Sequence, residues 1–143
     1  VKTSNPSSGE LQDMKLETNE SVYEHMGKMC EGWGEDLMGK QGYSAVGAVV
    51  GATYPEQLGE MRAKLPHTFF LVPGYGAQGG GADDVKNAFD ENGLGAIINS
   101  SRGIMCAWKK QGLTEDDFAV AARKEAERMR DEIVGCIGKI KLG

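Results

Sequence analysis

At 143 residues the chain is long enough for one modest domain or part of a larger one, and 40% hydrophobic with 26% charged residues marks it as globular rather than disordered. Sixteen basic against twenty-one acidic residues leave a net charge of −5, so there is no positive excess to displace counterions from nucleic acid or to hold an anionic membrane, and neither is expected as a partner. The longest apolar run, 45–52, is too short to span a bilayer, and three cysteines (Cys30, Cys106, Cys136) without CxxC spacing argue for reduced thiols in a cytoplasmic protein rather than a zinc site or disulfide framework.

The chain opens on Val1 rather than Met, and Val1-Lys2-Thr3 reads like the end of a strand already under way, so we expect an excerpt of a longer polypeptide. Residues 1–4 are the tail of that strand and 5–17 a polar, turn-rich loop. Over 19–40 the residues Val22, Met26, Met29, Cys30, Trp33 and Leu37 recur at three- and four-residue steps, which predicts a helix with those residues on its buried face. The continuous apolar run 45–51 predicts a strand covered on both faces. Pro55 then opens a helix whose inner stripe is Leu58, Met61 and Leu65.

Residues 68–72 form the next predicted strand, followed by the glycine-rich segment 74–81. Asp83 or Asp84 can cap a helix carrying Val85, Ala88 and Phe89. Residues 95–98 are the last strand, running into Asn99-Ser100-Ser101-Arg102-Gly103. Thr114-Glu115-Asp116-Asp117 resembles a capping box for a long final helix with Phe118, Ala121, Ala122, Met129, Ile133, Ile137 and Ile140 inside. Four strands, each followed by helical sequence, make half of an eight-fold β/α barrel.

Every predicted strand ends in a polar or glycine-rich cluster. In such barrels chemistry gathers at that end, with a phosphate site commonly after the last two strands. Arg102 can offer two parallel N–H bonds to phosphate oxygens, Gln78 can donate through its amide, and glycines let backbone N–H groups approach an anion. Gly74-Tyr75-Gly76-Ala77-Gln78-Gly79 also spells GxGxxG, which keeps a dinucleotide-binding enzyme open. Against it, the following strand ends in Asn99 rather than an acid suited to a ribose, and Pro73 interrupts the strand-to-glycine junction. His25 and His67 stand without nucleophile or ligand partners and read as surface residues.

Pro73-Gly74-Tyr75-Gly76-Ala77-Gln78-Gly79-Gly80 resembles the seventh-strand loop of the orotidine 5′-phosphate decarboxylases, and Ile97-Ile98-Asn99-Ser100-Ser101-Arg102-Gly103-Ile104 their eighth strand with its phosphate arginine. Lys2-Thr3-Ser4-Asn5-Pro6 resembles the end of their fifth strand, and residues 42–53 the sixth, in the branch with longer loops. The resemblance runs in order over nearly the whole chain. It implies an α/β fold, the C-terminal half of a (β/α)8 barrel (strands five to eight) over residues 1–143, from an enzyme that converts orotidine 5′-monophosphate to UMP and CO2 in pyrimidine biosynthesis.

The resemblance also implies roles. Ser4 would hydrogen-bond the pyrimidine ring, Gln78 would reach from ring to phosphate, and Arg102 with the backbone N–H of Ser101 would hold the phosphate. The Ser101 position is usually Gly in the family. The family is homodimeric and uses no metal or organic cofactor. Its catalytic Lys and Asp residues lie on an Asp-x-Lys-x-x-Asp strand of the N-terminal half, so no catalytic residue is expected in this chain, and the chain alone is expected to be inactive. Asp13-Met14-Lys15-Leu16-Glu17-Thr18 echoes that run, but it lacks the final Asp and lies in the loop after the fifth strand, so it is read as coincidence. The other readings kept open are a different phosphate-binding barrel, a dinucleotide-binding enzyme, and an inert fragment acting as a binding module.

Overall fold

The apolar runs fold into parallel strands. In a computed structural model, which describes residues 1–76, 80–138, 140 and 141, β1 (Gly47–Val49), β2 (Phe69–Pro73) and β3 (Ala96–Asn99) lie side by side in that order. Gly47 pairs with Phe69 and Val49 with Leu71, then Phe70 pairs with Ala96 and Pro73 with Asn99, all in parallel. The run expected over 45–51 starts its ladder only at Gly47. Ser44 intervenes: its hydroxyl donates to the Val46 carbonyl at 2.9 Å and accepts from the Val46 N–H at 3.3 Å.

The expected first strand is reduced to one parallel bridge between Lys2 and Val50. Lys2 N–H donates to the Val49 carbonyl at 3.1 Å, and Gly51 N–H to the Lys2 carbonyl at 2.7 Å. Beyond that bridge Thr3 gives its N–H to Gln12 Oε1 at 3.0 Å instead of to a strand. Four parallel segments therefore stand in chain order with helices between them, half of a (β/α)8 barrel.

Helices follow the strands: α1 (Gly9–Gln12), α2 (Val22–Trp33), α3 (Pro55–Lys64), α4 (Ala82–Val85), α5 (Ser101–Met105), α6 (Ala107–Lys110) and α7 (Phe118–Ile137). The expected stripe is fully buried, with Leu58 and Met61 of α3 and Leu65 at its C-terminal cap in one core with Phe70 and Val72. Arg62 of the same helix is buried as well. Its guanidinium lies over the Phe70 ring at 4.1 Å and donates to the carbonyls of Gly95 (3.2 Å), Thr68 (2.9 Å) and Leu65, so a cation ties the helix to the lower ends of β2 and β3. Burial pushes its pKa down from the ordinary arginine value.

Three of the helix expectations need correction. The helix expected over 19–40 ends at Trp33, and its buried face is Tyr23, Gly27 and Cys30; Met26, Met29, Trp33 and Leu37 are exposed. The reason is contact at Gly27, where an added Cβ would lie 2.3 Å from Met61 and 2.9 Å from Leu65, so α2 and α3 meet along the line that Gly27 opens. Asp84 supports α4 from the third helical position, accepting the Gly81 N–H at 2.7 Å, while Asp83 pairs with Lys86 on the surface. On α7 the residues Ala121, Met129 and Ile133 are buried, but Phe118 is exposed, because Thr114 and Asp117 cap a 3-10 turn that precedes the helix.

The sheet itself is buried on one face only. Ala48, Val50, Phe70 and Val72 lie under the helices, whereas their neighbours Val49, Phe69, Leu71 and Ile97 are 39–56% exposed. That alternation corrects the expectation of a strand covered on both faces. The outer layer of the half-barrel is present, and nothing among the described residues fills its inside.

Candidate functional site

What meets at the ends of the strands is decided by their last residues. β2 ends at Pro73 and is followed by Gly74 at φ +103° and Gly76 at φ +77°, a left-handed backbone that glycine adopts without a Cβ clash. The chain thereby turns off the strand and folds Tyr75 inward, 4% exposed. Burial and a hydrogen bond to Glu132 push its phenol up to about 12, so it stays a neutral donor at ordinary pH.

β3 ends beside this turn. The buried Ser100 hydroxyl donates to the Tyr75 carbonyl at 3.0 Å and so locks one strand end to the other. α5 begins at once: Ile104 N–H bonds the Ser100 carbonyl, which leaves the N–H groups of Ser101, Arg102 and Gly103 without partners inside the helix. Asn99 Nδ2 donates to Ser101 Oγ at 3.2 Å.

Ser4 arrives from the other side. Its carbonyl accepts from Thr53 Oγ1 at 3.4 Å. It also lies so close to Gly51 that an added Cβ there would sit 2.7 Å from Ser4 N. Ser4, Gly74, Tyr75, Asn99, Ser101 and Arg102 thus line one open cleft at the C-terminal end of the strands.

Arg102 is exposed at this cleft and makes no ion pair among the described residues, whereas Arg62 and Arg128 are engaged by carbonyls or carboxylates. Its fork of N–H donors is open to an anion, next to the Ser101, Arg102 and Gly103 backbone N–H groups that have no acceptor inside the helix. The arrangement can hold a phosphate-sized anion with one charge and several neutral donors.

Of the four residues expected at the site, the structure brings Ser4, Ser101 and Arg102 to this cleft; Gln78 lies outside the described residues. Lys15 is elsewhere, 3.7 Å from Glu24 and bridged to Ser21. His25 and His67 are exposed beside Glu20 and Glu31 respectively. Among the described residues no group of three or more His, Cys, Asp or Glu side chains could hold a metal ion. Sequence reasoning placed Thr53 and Ser100 at strand ends but gave them no role, and it missed the anchoring of Tyr75, which no local signal could have found, since its partner is 57 residues away.

A scan against protein-family models finds no match. Curated relatives are another matter. The chain is 44% identical over 139 residues to the orotidine 5′-phosphate decarboxylase of Rhodopirellula baltica, covering 94% of this chain and 46% of that protein. It is 44% identical over 137 residues to that of Clostridium tetani, covering 96% and 47%. The chain therefore spans about half the length of the curated relatives it matches.

Among solved structures, UMP synthase of Leishmania donovani superposes with a TM-score of 0.70 at 35% identity, over 92% of this chain and 26% of that one. OMP decarboxylase of the same organism gives a TM-score of 0.64 at 30% identity, over 92% and 46%. By sequence and by fold, over nearly its whole length, this chain is a homologue of about half of an orotidine 5′-phosphate decarboxylase.

Proposed function

We propose that the complete protein of which this chain forms the C-terminal half decarboxylates orotidine 5′-monophosphate to UMP and CO2, and that this half binds the substrate without performing the chemistry. The observation that carries the reading is the cleft, where Ser4 of the first segment and Arg102 after the last strand, which makes no ion pair among the described residues, line one opening. Its residue types suit a nucleoside monophosphate: a hydroxyl for a ring, and a guanidinium beside backbone N–H groups at a helix start for a dianion.

In this reading Ser4 hydrogen-bonds the pyrimidine, Gln78 links ring and phosphate, and Arg102 with Ser101 N–H holds the phosphate. The N-terminal half contributes a Lys and Asp residues. The bond from C6 to the carboxylate breaks, its electron pair stays on C6 as CO2 leaves, and the Lys ammonium gives C6 its proton. Holding a phosphate remote from C6 accelerates that step only if the contact orders the site in the transition state, which is the use such enzymes make of binding energy. The complete protein then acts in the cytoplasm as a homodimer. The described residues include no helix long and apolar enough to cross a membrane.

The test is Arg102→Ala in the complete protein. The loss in kcat/KM for orotidine 5′-monophosphate should be on the order of 3 kcal/mol, since charge-assisted contacts contribute ~1.5–3 kcal/mol each and the arginine makes two. Orotidine, which lacks the phosphate, should barely register the change. Equal losses on both would make Arg102 structural.

A further inference from the structure

Tyr75 is held at three points. Its hydroxyl donates to Glu132 Oε2 at 2.7 Å, joining the turn after β2 to the C-terminal part of α7. Glu132 is itself steadied by Arg128 one turn earlier, and both oxygens of Glu125 hold Arg128, at 2.7 and 2.9 Å. The carbonyl of Tyr75 takes the Ser100 hydroxyl, and its backbone bridges Gly80 while Gly76 N–H donates to the Gly80 carbonyl at 2.7 Å. The same residue forms part of the cleft wall that includes Arg102.

We infer that Tyr75 is a positioning residue for the phosphate-facing arginine: its bond to Glu132 fixes the turn after β2 against α7, and its carbonyl passes that placement through Ser100 to the Ser101–Arg102 turn. The inference rests on the phosphate-binding reading of the cleft. Two features separate it from plain stabilisation. Glu132 is 46% exposed, so its bond to the phenol adds little to folding. The path from Tyr75 to Arg102 is short and rigid, through one buried hydroxyl and two residues of backbone, and displacements of about 1 Å at a binding group can cost up to ~100-fold in rate.

The experiment uses the complete protein and two substrates, orotidine 5′-monophosphate and orotidine. Tyr75→Phe keeps the packed ring and removes only the hydroxyl. It should lower kcat/KM for the phosphorylated substrate roughly tenfold, chiefly through KM, with orotidine changed less than about twofold. Glu132→Ala should reproduce that loss, the double variant should be no worse than either single one, and Glu132→Gln, which keeps an acceptor, should recover most of it. Equal losses on both substrates, or additive losses in the double variant, would overturn the inference while leaving the proposed activity standing. An inactive wild-type protein would overturn the activity and the inference together.

Discussion

The Lys2 ammonium is sealed from solvent, with 1% of its side chain exposed, and lies 2.6 Å from Oδ1 of Asp13, whose own side chain is 45% exposed. The rings of Tyr54 and Tyr23 face the same nitrogen at 4.8 and 5.3 Å. Together with the bond from Thr3 N–H to Gln12, this pair straps the short helix α1 over the strand end that leads into Ser4.

The two partners should respond unequally to removal. Asp13→Asn leaves a buried cation with no countercharge, only a neutral amide oxygen and aromatic faces, and should cost about 2 kcal/mol, below the ~3–5 kcal/mol of a fully buried pair because Asp13 is half in water. Lys2→Met leaves a carboxylate that can return to solvent, and should cost clearly less. Urea unfolding of the complete protein checks the order, and a larger loss for Lys2→Met would contradict it.

Glu24 adds a dependence on pH. Its carboxyl is held down to about 2, against an ordinary 4.5, by Lys64 first and then by the hydroxyl and backbone N–H of Ser21. A depressed folded pKa stabilises the fold where the group is ionised in both states, so the contribution is complete above 4.5 and is lost as pH falls from there toward about 2. Glu24→Gln should therefore be less stable than wild type at pH 6, with the gap closing as pH falls through that window. Unfolding midpoints measured across pH 2–6 give the comparison, and a gap independent of pH would contradict it.

The uncovered side of the sheet predicts assembly. Val49, Phe69, Leu71 and Ile97 point to the barrel interior and are exposed, while Met26, Met29 and Trp33 on α2 and Ile140 beyond α7 are exposed elsewhere on the half-barrel. The outer edge of β3 has no strand partner among the described residues. Apolar surface this extensive is not kept in water by a stable monomer. The isolated chain should scatter light as oligomers or aggregates at micromolar concentration, and become a defined particle only when the other half of the barrel is present. A cooperative unfolding transition from a 15.4 kDa particle would contradict this.

Much of this was legible locally. The stripe Leu58, Met61 and Leu65 follows from helical spacing, and β2 and β3 from short apolar runs closed by Pro73 and Asn99. The order of glycine-rich turn and arginine after successive strands brought Ser101 and Arg102 to one place, because parallel strands all end at one face. What could not be read is non-local. The face that α2 buries depends on Gly27 meeting Met61, thirty-four positions on, and no period within α2 encodes that. The burial of Lys2 and of Arg62 runs against the tendency of both residue types, and is possible only because Asp13 in one case and the carbonyls of Thr68 and Gly95 in the other arrive from elsewhere in the chain.

The most direct measurement of the central claim is decarboxylation of orotidine 5′-monophosphate, followed by loss of the orotate absorbance, in two proteins: this chain alone, and this chain joined in one polypeptide behind the unmatched half of the Rhodopirellula baltica relative. If, as proposed, this half grips phosphate and the other half carries the proton donor, the chain alone gives no turnover and the joined protein gives substrate-saturable turnover, abolished for the most part by Arg102→Ala. Turnover by the 143-residue chain alone at a rate near that of the joined protein would contradict it and would place the reacting groups within this half.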